Sequence, residues 1–402
     1  MSTNLTTKEI LSLVKADFET NKVLLSRKLV IPEHSILDEA YVLEITNAIE
    51  LSLEVEVKEF LIICLIKSIL ANRESYTLKN SSYTLDYATR ERIYGLIERY
   101  ITIISAPIVT YYIAVIHFLE RKYTSALEMF TSVAKTDCPA IYGWDQGVKT
   151  LKLHRNTNSK YSNIFKTDAS ISWIKKFEKN NRISILIGAD SRYFKAFRED
   201  QLKSFKEYSE ELNLIFHIVN PCDESLKIAK SICDASPTVY VSYENADTSD
   251  KAFYAGIRFL RLEYFMDVTN SGIITLDADC PLRPKLDFFE ELYINDLGVA
   301  PCKGPGGYVP WRRFAAGILY ANNTDNGRNF ASMLAENFKR LWKEQHGSNW
   351  WLDQTAIFLS IMELNLSLEL PSTFDFSKFN RKFGHMPFTT SEAYKLKTLS
   401  NT

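Results

Sequence analysis

The sequence predicts an α/β protein, in which an all-helical domain precedes a Rossmann-type domain with a mainly parallel sheet. Apolar residues recur at three- and four-residue spacing through the first part of the chain, whereas later segments alternate short apolar runs with amphipathic ones. A polar, weakly periodic stretch at 154–168 separates them. With 402 residues and 46% apolar composition, the chain can form two cores. We therefore expect domains over 1–165 and 170–402.

The amino-terminal region has helical periodicity at 51–70, 90–104 and 108–133, with no competing strand pattern. The apolar run at 60–70 is too short to span a bilayer and contains Lys67, so we expect a buried helix there. The chain also begins without the basic start and apolar core of a secretory signal. These patterns predict a helical domain without a targeting or membrane segment.

Part of this region, 111–139, is similar to one tetratricopeptide repeat. Ala114, Ala126 and Phe130 have the spacing with which two antiparallel helices close on each other, and Pro139 follows. Repeat arrays normally contain at least three units, and an ordinary helical hairpin has the same pattern. The sequence leaves both interpretations open, and either offers a surface for a protein partner or an oligomer.

The second region alternates predicted strands and helices. The strands are 183–187, 214–219, 238–242 and 272–276, and the helices are 197–212, 223–233 and 249–266. Such alternation predicts right-handed β-α-β units and a parallel sheet.

Asp277 and Asp279 follow the last of these strands. Residues i and i+2 of an extended chain lie on the same side, and ligands of α/β sheets bind beyond the carboxyl ends of strands. Two carboxylates there suit a hard divalent cation and the phosphate oxygens that it binds. The alternative is a solvated turn, because Asp is common after strands. The pattern thus indicates a site for a metal ion and a diphosphate.

Composition argues against general nucleic-acid binding and indicates the redox state of the cysteines. The formal net charge is -1, with 48 basic and 49 acidic residues and no basic tract, so general nucleic-acid binding has no electrostatic basis. The six cysteines show neither a C-x-x-C pair nor zinc-site spacing, which is typical of reduced thiols. We expect a cytoplasmic protein, with peripheral membrane association left open.

Four segments in a fixed order resemble the GT-A-fold nucleotide-sugar glycosyltransferases. They are IGADSRYF at 187–194, the helix 253–261 followed by LDAD at 276–279, FAAGILYAN at 314–322 and WWLDQTA at 350–356. The third departs from the family pattern at Ala315, where many members have Asn, so a sugar contact from that side chain is in doubt. The resemblance covers most of 181–390.

The resemblance implies roles for individual residues. The residues implied to contact the nucleotide sugar are Ala189, Asp190, Tyr193, Arg258, Arg261, Asp277, Ala278 and Gly317. The implied ligands of Mn²⁺ or Mg²⁺ are Asp277, Asp279 and His385, and the implied catalytic residues are Asp353 and Gln354. The alternatives are ordinary structural uses: a solvated helix face for the two arginines, a hydrogen-bonded His385, and a helix cap for Asp353.

A loop with three glycines and two prolines lies at 302–313. In a glycosyltransferase it would serve as an acceptor lid, with Trp311 stacked on a sugar and Arg312 or Arg313 meeting an acidic group. A simple long hairpin is the alternative.

The sequence thus predicts a metal-dependent glycosyltransferase of polysaccharide biosynthesis that uses a nucleotide sugar and a hydroxyl of a glycan, lipid-linked glycan or protein. One alternative is a haloacid-dehalogenase-type phosphotransferase, whose D-x-D loop also follows a strand. That family requires Thr or Val where this chain has Pro281. Another alternative is an inactive scaffold or glycan-binding module.

Overall fold

A computed structural model describes most of the chain. The described residues are 5–32, 35–79, 82–153, 171–282, 289–302, 307–342, 351–366, 373–376 and 398–399. The chain divides into two compact units. One comprises Met1–Arg155 with Cys302–Arg313, and the other comprises Asn156–Pro301 with Phe314–Thr402. We call them the helical unit and the sheet unit.

The helical unit contains seven α-helices in its described part. They are α1 (Thr7–Asp17), α2 (Lys22–Leu29), α3 (Glu39–Leu51), α4 (Val55–Ala71), α5 (Tyr87–Arg99), α6 (Ala106–Leu119) and α7 (Tyr123–Ala134). Helix α4 is buried along most of its length, and Lys67 within it forms a 2.5 Å ion pair with Asp145. None of the described helices has both the length and the apolar composition needed to cross a bilayer.

One feature of the helical unit departs from the expected all-helical composition. Strands β1 (Tyr76–Lys79) and β2 (Ser82–Leu85) form an antiparallel hairpin. The hairpin was missed because each strand has only four residues, too few for alternation to stand out. Helices α6 and α7 pack against each other, with Ala114, Ala126 and Phe130 fully buried.

The 302–313 segment, expected to form a lid or a hairpin, belongs to the helical unit. Trp311 is fully buried, with its ring 5.3 Å from that of Phe130 and 6.4 Å from that of Tyr111. A Cβ atom at Gly147 would overlap the Trp311 ring, so glycine permits this packing. The expectation that Trp311 stacks on a sugar is wrong for this structure, because the indole is already enclosed by protein.

The sheet unit alternates strands and helices. In chain order its elements are β3 (Ser172–Trp173), β4 (Ser184–Asp190), α8 (Ser191–Phe205), β5 (Asn213–Val219), α9 (Asp223–Ala235), β6 (Val239–Glu244), α10 (Lys251–Leu260), α11 (Leu262–Thr269), β7 (Ile273–Leu276), α12 (Phe289–Tyr293), β8 (Leu297–Pro301), β9 (Phe314–Ala321), α13 (Asp325–Leu341), α14 (Leu352–Leu366) and β10 (Thr373–Asp375).

These strands form one sheet in the order β10-β8-β9-β7-β4-β5-β6-β3. Parallel pairing joins β4 to β5 and β7, β5 to β6, and β8 to β10. Strands β3 and β9 pair antiparallel with their neighbours. Strands β4 and β5 are buried almost throughout, as expected for a sheet covered on both faces. The predicted α/β class with a mainly parallel sheet is confirmed.

Two helices differ from their predicted bounds for local reasons. Helix α8 begins at Ser191 rather than at residue 197, because the Asp190 carboxylate caps it by accepting a 2.7 Å hydrogen bond from the Tyr193 amide. The helix predicted at 249–266 is two helices, α10 and α11, with a break at Arg261 (φ -107°, ψ 5°).

Candidate active site

The candidate site lies at a reversal in strand order. From β4 the chain passes through α8 to β5 and then to β6 on one side, and it later returns to β7 on the other side of β4. Ligands of open α/β sheets bind beyond the carboxyl ends of the strands at such a switch point. Strand β4 ends at Asp190 and β7 leads into Asp277, so two of the predicted site residues flank this crevice.

The turn that carries the acidic pair is held by backbone contacts. The Asp277 amide donates to the Gly317 carbonyl of β9 at 3.0 Å, and the Cys280 amide donates to the Asp277 carbonyl at 3.0 Å. The Gln201 side-chain amide donates to the carbonyls of Ala278 (2.9 Å) and Asp277 (3.3 Å). The turn is thus fixed from β9 on one side and from α8 on the other.

Arg258 of α10 reaches the first carboxylate of the pair. Its Nη2 lies 2.6 Å from Asp277 Oδ1 and donates to the Ala316 carbonyl at 3.0 Å. The Arg258 side chain is 1% exposed and that of Asp277 is 35% exposed. The guanidinium is therefore a buried, fixed positive charge behind a carboxylate that faces solvent. Such charge-assisted contacts are strong because little water competes for the guanidinium.

Glycine explains how α10 comes close enough to β4. A Cβ atom at Gly188 would lie 2.5 Å from Ile257 Cγ2 and 3.2 Å from the Arg258 amide nitrogen. Any side chain there would push the helix away from the strand. Gly188 therefore permits the close approach that places Arg258 at the carboxyl edge of the sheet.

Three side chains of the turn offer ligand atoms for a metal ion. A carboxylate oxygen from Asp277, one from Asp279 and the Cys280 Sγ all lie within 4.8 Å of one another. Asp279 is 9% exposed and Cys280 is buried. Carboxylate oxygens are the ligands that Mg²⁺ and Mn²⁺ prefer. The two carboxylates therefore fit the divalent cation that the sequence predicts.

Asp353 lies near the start of α14, with one carboxylate oxygen accepting a 2.8 Å hydrogen bond from the Gln354 amide. Desolvation raises the pKa of the Asp353 carboxyl above its ordinary value, opposed by the charge of Arg258 and by the Gln354 contact. Arg258 thus acts electrostatically on Asp353 as well as on Asp277. Gln354 follows with a partly exposed side chain.

The other predicted residues are distributed around this core. Ala189 and Ala278 are nearly buried, so mainly their backbone is available to a ligand. Asp190 uses its carboxylate to cap α8, and Tyr193 lies in the first turn of that helix rather than in a loop. The Gly317 carbonyl is used by the Asp277 amide. His385 lies outside the described residues.

Arg261 does not join the acidic pair in this structure. It was expected to share a helix face with Arg258, and its amide keeps the helical hydrogen bond to the Ile257 carbonyl at 2.9 Å, but its side chain reaches a different carboxylate. Its Nε instead donates to Glu244 Oε2 at 2.9 Å and its Nη2 to Glu244 Oε1 at 3.3 Å. The two arginines therefore contact different carboxylates.

The sequence reasoning missed Gln201. The buried face of α8 consists of Phe194, Phe197, Gln201 and Phe205, and Gln201 is 2% exposed. A polar side chain within an apolar stripe must find hydrogen-bond partners, and here the partners are the carbonyls of the acidic turn. The signal was a single glutamine at an apolar position of the 3.6-residue period.

No protein-family model and no curated protein matches the chain. Among solved structures it aligns with apo WbbM, a bifunctional glycosyltransferase (13% identity, 45% of this chain and 37% of that chain, TM-score 0.34). It also aligns with apo glycosyltransferase GlyE of Streptococcus pneumoniae TIGR4 (17% identity, 55% of this chain and 51% of that chain, TM-score 0.33). A third match is galactosyltransferase LgtC in complex with donor and acceptor sugar analogues (15% identity, 54% of this chain and 83% of that chain, TM-score 0.34). The sequence identities and TM-scores of these three alignments are all low.

Proposed function

We propose that this chain is a metal-dependent glycosyltransferase that transfers a sugar from a nucleotide-sugar donor to a hydroxyl of a glycan, lipid-linked glycan or protein. One observation supports it most. The acidic turn and the buried Arg258 meet at the carboxyl edge of β4 and β7, where α/β sheets bind nucleotides. The GT-A resemblance of the four sequence segments, which includes this turn, points to the same reaction.

The chemistry of the leaving group explains why this site needs positive charge. The nucleoside diphosphate gains negative charge as the bond between its terminal phosphate oxygen and the anomeric carbon of the donor sugar breaks. A bound Mn²⁺ or Mg²⁺ would supply Lewis-acid stabilisation of that charge. Asp277 and Asp279 would hold the ion, and Arg258 would present a fixed guanidinium to the phosphate oxygens or to the sugar.

Asp353 is the candidate base. A carboxylate that receives a proton from an acceptor hydroxyl works best when its pKa is raised toward the operating pH. Desolvation raises the pKa of the Asp353 carboxyl, while the positive charge of Arg258 opposes this rise. We assign Asp353 to activation of the acceptor hydroxyl, with Gln354 beside it on the same helical turn.

The nucleotide is assigned to the end of β4. Helix α8 begins there, and its first amides and the Asp190 cap face the carboxyl edge of the sheet. The backbone of Ala189 and the side chain of Tyr193 would contact the base or ribose. This assignment places the diphosphate between α8 and the acidic turn.

The test is metal-linked donor binding. A panel of UDP- and GDP-sugars is screened for thermal stabilisation of the full chain with and without Mn²⁺. We expect stabilisation by at least one donor in the presence of Mn²⁺, its loss in Asp279→Ala, and its retention in Glu224→Gln. Glu224 is a matched control because its side chain is a 66% exposed carboxylate of the same unit, paired with Lys195.

Two results would contradict the proposal. Metal-dependent donor binding that persists in Asp279→Ala would remove the acidic turn from the site. An absence of stabilisation across the whole panel, with or without Mn²⁺, would favour a scaffold or glycan-binding role. Release of nucleoside diphosphate on adding acceptor glycans then distinguishes transfer from donor binding alone.

A further inference from the structure

A second charged cluster lies beneath the junction of α10 and α11. The Glu244 carboxylate at the end of β6 forms two hydrogen bonds with the Arg261 guanidinium, at 2.9 and 3.3 Å. His217 of β5 lies on its other side, with Nε2 3.7 Å from Glu244 Oε2 and Nδ1 3.0 Å from Ser242 Oγ. The side chains of Glu244 and Arg261 are 1% and 13% exposed. These charges are buried and lie outside the acidic turn.

This cluster contacts the end of α10 through Arg261. The Arg261 amide donates to the Ile257 carbonyl at 2.9 Å, and the Arg261 carbonyl accepts from the Phe265 amide at 3.0 Å in α11. Ile257 is the residue that packs against Gly188, and Arg258 follows it. A displacement of Arg261 would therefore be transmitted to Arg258, because only one helical turn separates the two residues.

Stability alone does not require this arrangement. A buried ion pair is expensive to desolvate, and well-packed apolar residues of similar volume often replace one at no loss of stability. A bidentate arginine–carboxylate contact differs from apolar packing because it fixes the direction of both side chains. The pKa of Glu244 stays below its ordinary value: burial raises it, but the contacts with His217 and Arg261 outweigh this. The carboxylate is thus ionised and the contact is held.

We propose that Glu244, acting through Arg261, is a positioning residue that holds Arg258 in place for glycosyl transfer. This inference rests on the proposed function. Arg258 is required most when charge develops on the leaving group, so its displacement should lower kcat more than it raises the KM for the donor. A misplacement of about 1 Å in an active site lowers the rate about a hundredfold. We expect a fall in kcat of about ten- to a hundredfold.

The experiment compares full-length Glu244→Gln, Arg261→Lys and Arg261→Gln with Asp267→Asn. Asp267 of α11 forms an exposed 2.5 Å ion pair with Arg328 of α13 and is a matched control for the loss of one ion pair. The readouts are Mn²⁺-dependent thermal stabilisation by the donor found in the panel, and kcat and KM for release of its nucleoside diphosphate. Arg261→Lys keeps the charge and one donor, so it should retain more activity than Arg261→Gln. If Glu244→Gln does not fold, the comparison of Arg261→Lys with Arg261→Gln still tests the proposal.

The expected result is a selective loss of kcat in Glu244→Gln and Arg261→Gln, with Mn²⁺-dependent donor stabilisation kept and Asp267→Asn unchanged. A kcat equal to that of Asp267→Asn, with only a lower melting temperature, would show a purely structural role and overturn the inference while leaving the proposed function intact. Failure of the unsubstituted protein to bind any donor with Mn²⁺ would overturn both.

Discussion

Substitution of Gly188 by Ala tests how the site is assembled. The added Cβ would lie 2.5 Å from Ile257 Cγ2, whereas ordinary van der Waals contact begins at 3.4 Å. Restoring that contact requires α10 to move away from β4 by about 0.9 Å, because the β-branched Ile257 side chain has little freedom to turn aside. A shift of that size along the line to Asp277 would lengthen the 2.6 Å contact with Arg258 to about 3.5 Å, longer than an ordinary N–H···O hydrogen bond, and so weaken it.

The energetic consequence follows from overpacking. Inserting a methyl group into a filled core costs about 1–3 kcal/mol of unfolding free energy. At roughly 2–4 °C per kcal/mol for a unit of this size, the melting temperature of Gly188→Ala should fall by several degrees. Turnover should fall as well, since the contact between Arg258 and Asp277 is lengthened and weakened.

The assay compares urea unfolding and donor turnover of Gly188→Ala with those of Gly95→Ala. Gly95 lies in α5, and a Cβ atom there has nothing within 4 Å. Alanine at that helical position should be neutral or stabilising, by about 0.5–1 kcal/mol. Equal stability and equal turnover of Gly188→Ala and the unsubstituted protein would refute the close approach of α10 to β4 as the reason for Arg258's position.

Two further substitutions probe other residues. In Asp353→Asn, turnover should fall at least about a hundredfold if the carboxylate acts as base. The substitution should also affect stability, because the pKa of Asp353 is raised in the folded protein and its ionised form therefore destabilises the fold at neutral pH. Asp353→Asn should therefore have the same or a higher melting temperature at pH 7, and any gain should disappear below about pH 3.9. A lower melting temperature with normal turnover would show that Asp353 serves only as a helix cap. In Trp311→Ala, urea unfolding should show a loss of about 3–5 kcal/mol from the cavity left beside Tyr111 and Phe130, with Mn²⁺-dependent donor binding kept. Loss of donor binding in a folded Trp311→Ala protein would instead place this segment in the donor site.

The order of strands and helices from β4 to β7 could be predicted from the sequence because each signal is local. The apolar runs of β4 and β5 and the acidic turn after β7 are all visible within ten residues. The break at Arg261 was not visible, since the apolar period continues through it from Phe253 to Met266. The Arg261 guanidinium pairs with a carboxylate on another strand, Glu244, and a contact of that kind leaves no signal in the local sequence.

The 302–313 segment shows the same limit more strongly. Its described residues 307–313 include one short helical turn, Pro310–Arg312, and the glycine and proline composition does not say which core such a segment joins. The core that this segment joins depends on the packing of Trp311 against Phe130, almost two hundred positions earlier, and on Gly147, which leaves room for the Trp311 ring. Such packing between distant segments depends on shape, and no periodicity records it.

The two acidic residues of the turn are unequal as tests of the proposed metal site. Asp277 shares one oxygen with Arg258, whose side chain is 1% exposed, so Asp277→Ala would leave a buried guanidinium without its carboxylate. Removing one partner of such a pair typically costs several kcal/mol, and the loss of metal would be confounded with local unfolding. The contact of Asp279 with its neighbour Cys280 is a 3.7 Å hydrogen bond from a thiol, a weak donor, whereas Asp277 forms a 2.6 Å ion pair with Arg258. The metal assignment is therefore tested at the second aspartate, because Asp279→Ala leaves both members of the Arg258–Asp277 pair in place.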